Sequence, residues 1–128
     1  MKVFIVGAGP GDPELITVKG QRLLQTADVI IYAGSLVNPA LLDMAKAGAE
    51  IHNSASMTLP EVIDTIAAAV QQDKMVVRLH TGDPSIYGAI QEQMDALKKH
   101  KIDFEVVPGV SSFLATAAPS ALHWWRIP

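Results

Sequence analysis

The chain contains no cysteine, few aromatic residues and little charge. Of its 128 residues, 5% are aromatic and 18% are charged, and the formal net charge is -3. The absence of cysteine excludes disulfide bonds and thiolate metal sites. The one basic cluster, residues 98–101, follows a helical pattern, and cations are favoured at the end of a helix. A nucleic-acid-binding surface is therefore not predicted.

Long apolar runs are also missing. The first run, residues 3–6, is too short for a signal peptide or a membrane span, and glycine and proline follow it closely. Hydrophobic residues nevertheless make up 49% of the chain, which is typical of one globular domain with a core. We therefore expect a soluble, cytoplasmic protein that has no membrane partner.

Short apolar segments alternate with helical patterns along the whole chain. The segments with the composition of buried strands are residues 2–6, 28–34, 50–53, 75–79 and 104–107. Short connections and no internal repeat accompany this alternation. The pattern predicts an α/β fold in which a five-stranded, mostly parallel sheet carries helices on both faces.

Capping residues indicate where the helices begin. Thr17 is a candidate cap for a helix over residues 15–26, in which Leu15, Val18, Leu23 and Leu24 are predicted to make the apolar contacts. Asn38 precedes a proline, as at the start of a helix. The third helix is predicted after a capping box, in which a threonine at 58 precedes a glutamate at 61.

Three of the predicted strands end in turns that contain glycine. These turns are residues 7–11, 82–84 and 108–109. The carboxyl ends of parallel strands lie along one edge of a sheet, where ligands bind in open α/β folds. A ligand at this edge would contact several turns at once, and we take this convergence as the main functional signal. The middle turn is the predicted floor of the site.

The glycine-rich first turn raises the alternative of a Rossmann oxidoreductase. Its spacing is G-x-G-x-G rather than G-x-G-x-x-G, and Pro10 and Pro13 remove N–H groups that would bind a phosphate. The acidic residue expected at the end of the second strand is also missing, since Tyr32, Ala33 and Gly34 stand there. The sequence therefore disfavours a dinucleotide site.

Four motifs, in order along the chain, resemble the tetrapyrrole methylase family. They read VGAGPGDPELITVKG at residues 6–20, ADVIIYAGSLV at 27–37, LHTGDPSIYGAI at 79–90 and VVPGVSS at 106–112. The second and third motifs look most like the members that methylate C11 of precorrin-4 or cobalt-precorrin-4 in cobalamin biosynthesis. Methylation at another precorrin carbon is a further interpretation.

The resemblance implies a two-domain α/β enzyme, usually a homodimer, which binds S-adenosylmethionine between its domains and methylates a tetrapyrrole. In this family the glycine-rich first turn lies beside the cleft for the tetrapyrrole. The positions that match the family's cofactor site are Pro10, Thr81, Gly82, Asp83, Ile86, Tyr87, Ser111 and Ser112. No protein-bound metal is implied, because any cobalt belongs to the substrate.

Family members continue into a second domain, and residues 119–128 depart from that pattern. We therefore interpret residues 1–118 as the amino-terminal methylase domain and 119–128 as a divergent tail, with the second domain absent. Little turnover is expected from this chain alone. The alternative is a non-catalytic remnant that binds the cofactor or another chain. Trp124 and Trp125 favour self-association.

Three other polar residues, Asp12, His52 and His80, are of types that can act as functional groups. Asp12 is a candidate for contact with the substrate, although a turn or helix-cap carboxylate is the plainer interpretation. No catalytic base is assigned. His52 and His80 stand at the ends of predicted strands, where hydrogen-bonding or packing roles are favoured over metal ligation.

Overall fold

The computed structural model describes residues 2–34, 37–81 and 90–111. Within them the strands are β1 (Val3–Gly7), β2 (Val29–Tyr32), β3 (Glu50–Asn53), β4 (Val76–His80) and β5 (Phe104–Val107). They form one sheet in the order β3-β2-β4-β1-β5, and every pairing is parallel. The predicted five-stranded sheet is confirmed, and the predicted "mostly parallel" becomes wholly parallel for these strands.

The helices that connect the strands are α1 (Val18–Thr26), α2 (Leu59–Gln71) and α3 (Gln91–Lys99). The predicted caps form: Thr17 accepts a hydrogen bond from the Gly20 amide at 3.0 Å, and Thr58 and Glu61 make a capping box. Short 3₁₀ helices span Pro13–Leu15, Pro39–Met44 and Ser54–Ser56. Asn38 thus caps a 3₁₀ helix, accepting from the Ala40 amide at 2.9 Å.

The prediction for the first helix was wrong at its start. A 3₁₀ turn occupies Pro13–Leu15, and α1 begins only at Val18. Val18 is 79% exposed and Leu15 is 38% exposed, whereas Leu23 and Leu24 are buried as expected. The Thr17 cap fixes where the helix begins, and the resulting phase turns Val18 to solvent while it turns the two leucines toward the sheet.

The side chains of the sheet pack into two hydrophobic cores, one on each face. On one face α2 and α3 cover a cluster that includes Val3, Ile5, Val29, Ile31 and Val76. On the other face α1 and the Pro39–Met44 helix cover a cluster that includes Val6, Ile30, Val77 and Leu79. This alternation follows from the period of two in a strand, and it confirms the prediction of helices on both faces.

The strand order creates a switch point between β1 and β4. From β1 the chain passes by way of α1 toward β2 on one side, and from β4 it passes by way of α3 to β5 on the other. Because α1 and α3 lie on opposite faces, a crevice is expected beyond the carboxyl ends of β1 and β4. In a Rossmann sheet β1 neighbours β2, so this order also argues against the dinucleotide alternative.

No helix in the described ranges is long and apolar enough to cross a membrane.

Candidate functional site

The turn after β1 meets the ends of β4 and β5 at the carboxyl edge, whereas the predicted middle turn, residues 82–84, lies outside the described residues. Gly7 is in register with His80, and Val6 is in register with Val107 on the opposite side of β1. The Ala8 amide donates to the His80 carbonyl oxygen at 2.5 Å. The turn after β1 therefore lies between the end of β4 and the end of β5.

The glycine-rich turn has a backbone that only glycine adopts readily. Gly9 has a φ of +77° and Gly11 a φ of +114°, with the half-buried Pro10 between them. A Cβ on Gly9 would lie 2.9 Å from the Leu15 carbonyl oxygen. The turn is therefore folded tightly against the 3₁₀ helix that follows it.

Asn38 holds this turn from a distant part of the chain. Its Nδ2 donates to the Gly11 carbonyl oxygen at 2.6 Å, while its Oδ1 caps the Pro39–Met44 helix. Sequence reasoning found the cap but missed the bond to Gly11. The two residues are 27 positions apart, and no local pattern reports a contact at that separation.

Asp12 has a structural partner at the end of the same turn. Its Oδ1 accepts a hydrogen bond from the Glu14 amide at 2.9 Å and caps the Pro13–Leu15 turn. The plainer interpretation of this exposed carboxylate is confirmed. Its contact with a substrate stays a prediction.

Thr81, immediately after β4, presents a hydroxyl that has no partner. In the described part of the chain, Thr81 Oγ1 is the one buried side-chain oxygen or nitrogen that lacks a hydrogen bond. A buried hydroxyl in this state costs about 1–3 kcal/mol, and most such groups in proteins are satisfied. A polar group of a ligand at the switch point could supply the missing partner. The hydroxyl therefore fits a cofactor that carries hydrogen-bonding groups.

Arg78 is the one buried charged side chain in the residues that the structure describes, at 6% exposure. Its Nε donates to Gln93 Oε1 at 2.9 Å and its Nη1 donates to the Ile31 carbonyl oxygen at 3.2 Å. Burial lowers the pKa of Arg78 to about 10. Sequence reasoning passed over Arg78 as part of an apolar run. A charged residue inside a buried strand was the available signal.

His80 lies at the end of the same strand, and its ring contacts Gln93. Its Nε2 is 2.9 Å from Gln93 Nε2. Burial, together with the nearby Arg78 charge, lowers the pKa of His80 to about 4. His80 is therefore neutral at physiological pH. The predicted hydrogen-bonding role holds here, and also for His52, which bonds to Glu50.

The structure describes three of the eight residues predicted for the cofactor site. Pro10 and Thr81 lie in the neighbouring turns after β1 and β4, and the half-buried Ser111 follows β5. The predictions on Gly82, Asp83, Ile86, Tyr87 and Ser112 fall outside the described residues. Within the described ranges, no three His, Cys, Asp or Glu side chains are grouped as a metal site would require.

Known proteins of similar sequence and structure are methyltransferases. Cobalt-precorrin-4 C(11)-methyltransferase of Methanocaldococcus jannaschii is 66% identical over 117 residues, covering 91% of this chain and 45% of the relative. The X-ray structure of a cobalamin biosynthetic enzyme, cobalt precorrin-4 methyltransferase, superposes with a TM-score of 0.90 at 54% identity, covering 94% of this chain and 50% of that one.

A second solved structure is uroporphyrin-III C-methyltransferase from Thermus thermophilus in complex with S-adenosylhomocysteine. Its TM-score is 0.77 at 38% identity, covering 91% of this chain and 48% of that one. The chain thus spans about half the length of the relatives that it matches. Residues 2–125 match the sequence profile of the tetrapyrrole (corrin/porphyrin) methylases, and the chain belongs to that family.

Proposed function

We propose that this chain forms the amino-terminal half of an S-adenosylmethionine-dependent methyltransferase that acts on C11 of precorrin-4 or cobalt-precorrin-4. The 66% identity to a cobalt-precorrin-4 enzyme supports this substrate. Among the solved structures, the cobalt-precorrin-4 enzyme is more similar than the uroporphyrin enzyme, both in sequence and in fold. The lineage further suggests a cytoplasmic homodimer.

The observation that carries the proposal is the unpartnered hydroxyl of Thr81 at the switch point of the sheet. It lies beside the glycine-rich turn, because the preceding residue, His80, bonds to Ala8. Both turns belong to motifs that resemble the family's. The residues we propose for the cofactor are Pro10, Thr81, Gly82, Asp83, Ile86, Tyr87, Ser111 and Ser112. Asp12, on the first turn, is proposed to face the tetrapyrrole.

When bound, S-adenosylmethionine would supply a methyl group on a sulfonium sulfur for in-line transfer to a ring carbon. The task of the chain's own residues is then alignment, because such a displacement depends on the geometry of the two reactants. Thr81 would fix one polar group of the cofactor. His80 supports the same end of the site as a neutral ring, and so it adds no charge that would repel a sulfonium. No general base is assigned.

A second candidate function follows from the fraction of the relatives' length that the chain covers. It covers 45% of the Methanocaldococcus enzyme, so the half-site could bind the cofactor without completing the reaction. We propose that residues 1–118 act as the amino-terminal domain and that turnover by this chain alone is low. Measurable methyl transfer to cobalt-precorrin-4 by the purified chain would refute the low turnover.

Calorimetric titration with S-adenosylhomocysteine tests the cofactor site. We expect the unchanged chain to bind and Thr81→Val, which removes the hydroxyl at nearly constant volume, to bind about tenfold more weakly. Thr26→Val is the matched control. Thr26 contacts Met75, just before β4, and so lies at the opposite edge of the sheet. Equal binding by Thr81→Val and the unchanged chain would remove Thr81 from the site. No binding by a folded chain would contradict a cofactor half-site.

A further inference from the structure

The hydrogen bonds of Arg78, Gln93 and His80 have a direction that chemistry imposes. A guanidinium only donates, so the Gln93 atom that faces Arg78 Nε must be the amide oxygen. The amide nitrogen of Gln93 therefore faces the His80 ring, at 2.9 Å from Nε2. That NH₂ group only donates. His80 Nε2 must accept, and the ring proton must be carried on Nδ1.

Because of this direction, the residue at position 93 must both accept from Arg78 and donate to His80, and most polar side chains cannot do both in this way. A side chain that can only accept would satisfy Arg78 but would force a proton onto His80 Nε2. An apolar side chain would leave the buried Arg78 Nε and the His80 ring without that partner, which is costly in a poorly solvated position. Only a primary amide joins the two groups with His80 as the neutral Nδ1–H tautomer.

The same three residues tie two elements of the candidate site together. Arg78 and His80 belong to β4, whereas Gln93 belongs to the first turn of α3. Arg78 also reaches the Ile31 carbonyl oxygen of β2, and the His80 carbonyl oxygen holds the turn after β1 through Ala8. These bonds fix the end of β4, which Thr81 directly follows, against α3, β2 and the turn after β1.

We propose that Gln93 is a positioning residue, which fixes the end of β4 through a one-way hydrogen-bond chain from Arg78 to His80 and so holds Thr81 where the cofactor binds. The ligand part of this inference depends on the proposed function. The tautomer part depends only on the network itself. The two parts are therefore measured separately.

The first measurement is ¹⁵N NMR of the histidine side chains at neutral pH. The His80 signals are assigned by their loss in His80→Gln. In the unchanged chain we expect a protonated Nδ1 and an unprotonated Nε2. In Gln93→Glu we expect the proton on Nε2, because a carboxylate only accepts. A protonated Nε2 in the unchanged chain, or a tautomer that Gln93→Glu leaves as it was, would overturn the directional network.

The second measurement is S-adenosylhomocysteine affinity in a pair of matched variants. Gln93→Met removes the network's amide at similar length and is expected to weaken binding about tenfold, the fold-change of one lost hydrogen bond. Gln91→Met makes the same change on α3 at an exposed residue whose amide donates to Asp95, and it should leave affinity unchanged. Gln93→Glu keeps an acceptor for both partners and should bind better than Gln93→Met.

The outcomes separate the two proposals. If the unchanged chain binds and Gln93→Met binds equally well, the positioning role is wrong while the proposed function stands. If the unchanged chain does not bind at all, the proposed function fails and the ligand part of this inference fails with it, while the NMR result still decides the direction of the network. If Gln93→Met does not fold, the affinity of Gln93→Glu tests the positioning role, and the NMR measurement tests the direction of the network.

Discussion

The Ala8 amide and the His80 carbonyl oxygen lie 2.5 Å apart and join the glycine-rich turn to the end of β4. Two motifs that are far apart in sequence therefore share one hydrogen bond at the edge of the sheet. A substitution that moves one of these turns should therefore also displace the other. The residues that lie in or contact these two turns, namely His80, Asn38, Gly9 and Thr81, are consequently the places where the site can be tested.

The stability of the chain should fall as the pH is lowered from neutral toward 5. The pKa of His80 is about 4 in the folded state, below its ordinary value of 6.5. Between these two values the unfolded chain binds the proton and the folded chain does not, so acid favours unfolding. We expect a loss of about 2 kcal/mol by pH 5.

Urea unfolding of the unchanged chain and of His80→Gln, at pH 7 and pH 5, measures this loss. Hydrogen bonds with basic side chains lower the pKa of Asp28, Glu50 and Glu105 below their ordinary values. These carboxylates therefore titrate below the range between the two pH values that are compared. The variant should therefore lose most of the pH dependence. An equal fall in both proteins would show that His80 is not its source.

Asn38 should contribute two separable bonds to stability. Asn38→Asp keeps the oxygen that caps the Pro39–Met44 helix but loses the N–H donor to Gly11, and we expect a cost of about 1 kcal/mol. Asn38→Ala loses both bonds and should cost about 2 kcal/mol. Denaturant unfolding of the three proteins at one pH gives both values. Stability of Asn38→Asp equal to that of the unchanged chain would mean that the bond to Gly11 contributes nothing.

Gly9→Ala should be far more costly than the same change at another left-handed glycine. Gly48 has a φ of +84°, and a Cβ at this position would meet nothing within 4 Å, so Gly48→Ala costs only its backbone strain, about 1 kcal/mol. A Cβ on Gly9 also meets the Leu15 carbonyl oxygen, and we expect about 3 kcal/mol in total. Thermal unfolding compares the two variants, and equal melting temperatures would argue against the tight turn.

Thr81→Val should stabilise the ligand-free chain. The substitution removes a buried hydroxyl that has no partner and keeps the shape of the side chain, so we expect a gain of about 1 kcal/mol. Thr26→Val is again the control, since it removes a hydroxyl that bonds to the Arg22 carbonyl oxygen. Urea unfolding measures both changes. A loss of stability in Thr81→Val would indicate that its hydroxyl already has a protein partner.

Local features of the sequence were enough to predict the five strands and the caps, although not the start of α1. Alternating apolar segments gave five strands, and β3 and β5 have the predicted bounds, because a buried strand needs a run of apolar residues that polar turns interrupt. Capping side chains act within three residues, so Thr17, Asn38 and Thr58 could be identified from spacing alone. The carboxyl edge also followed, since parallel strands all end on the same side.

The tertiary structure decided which of these pieces meet. The position of β4 between β1 and β2 depends on how helices pack on the two faces, which no local pattern encodes. Arg78 looked like one polar residue in an apolar run, and its role appeared only when Gln93 and the Ile31 carbonyl oxygen were found beside it. The cost of burying its charge must be met by partners that folding brings from other elements. The sequence by itself therefore determined the strands, the caps and the edge of the sheet, whereas contacts between distant residues determined the switch point and the network behind Thr81.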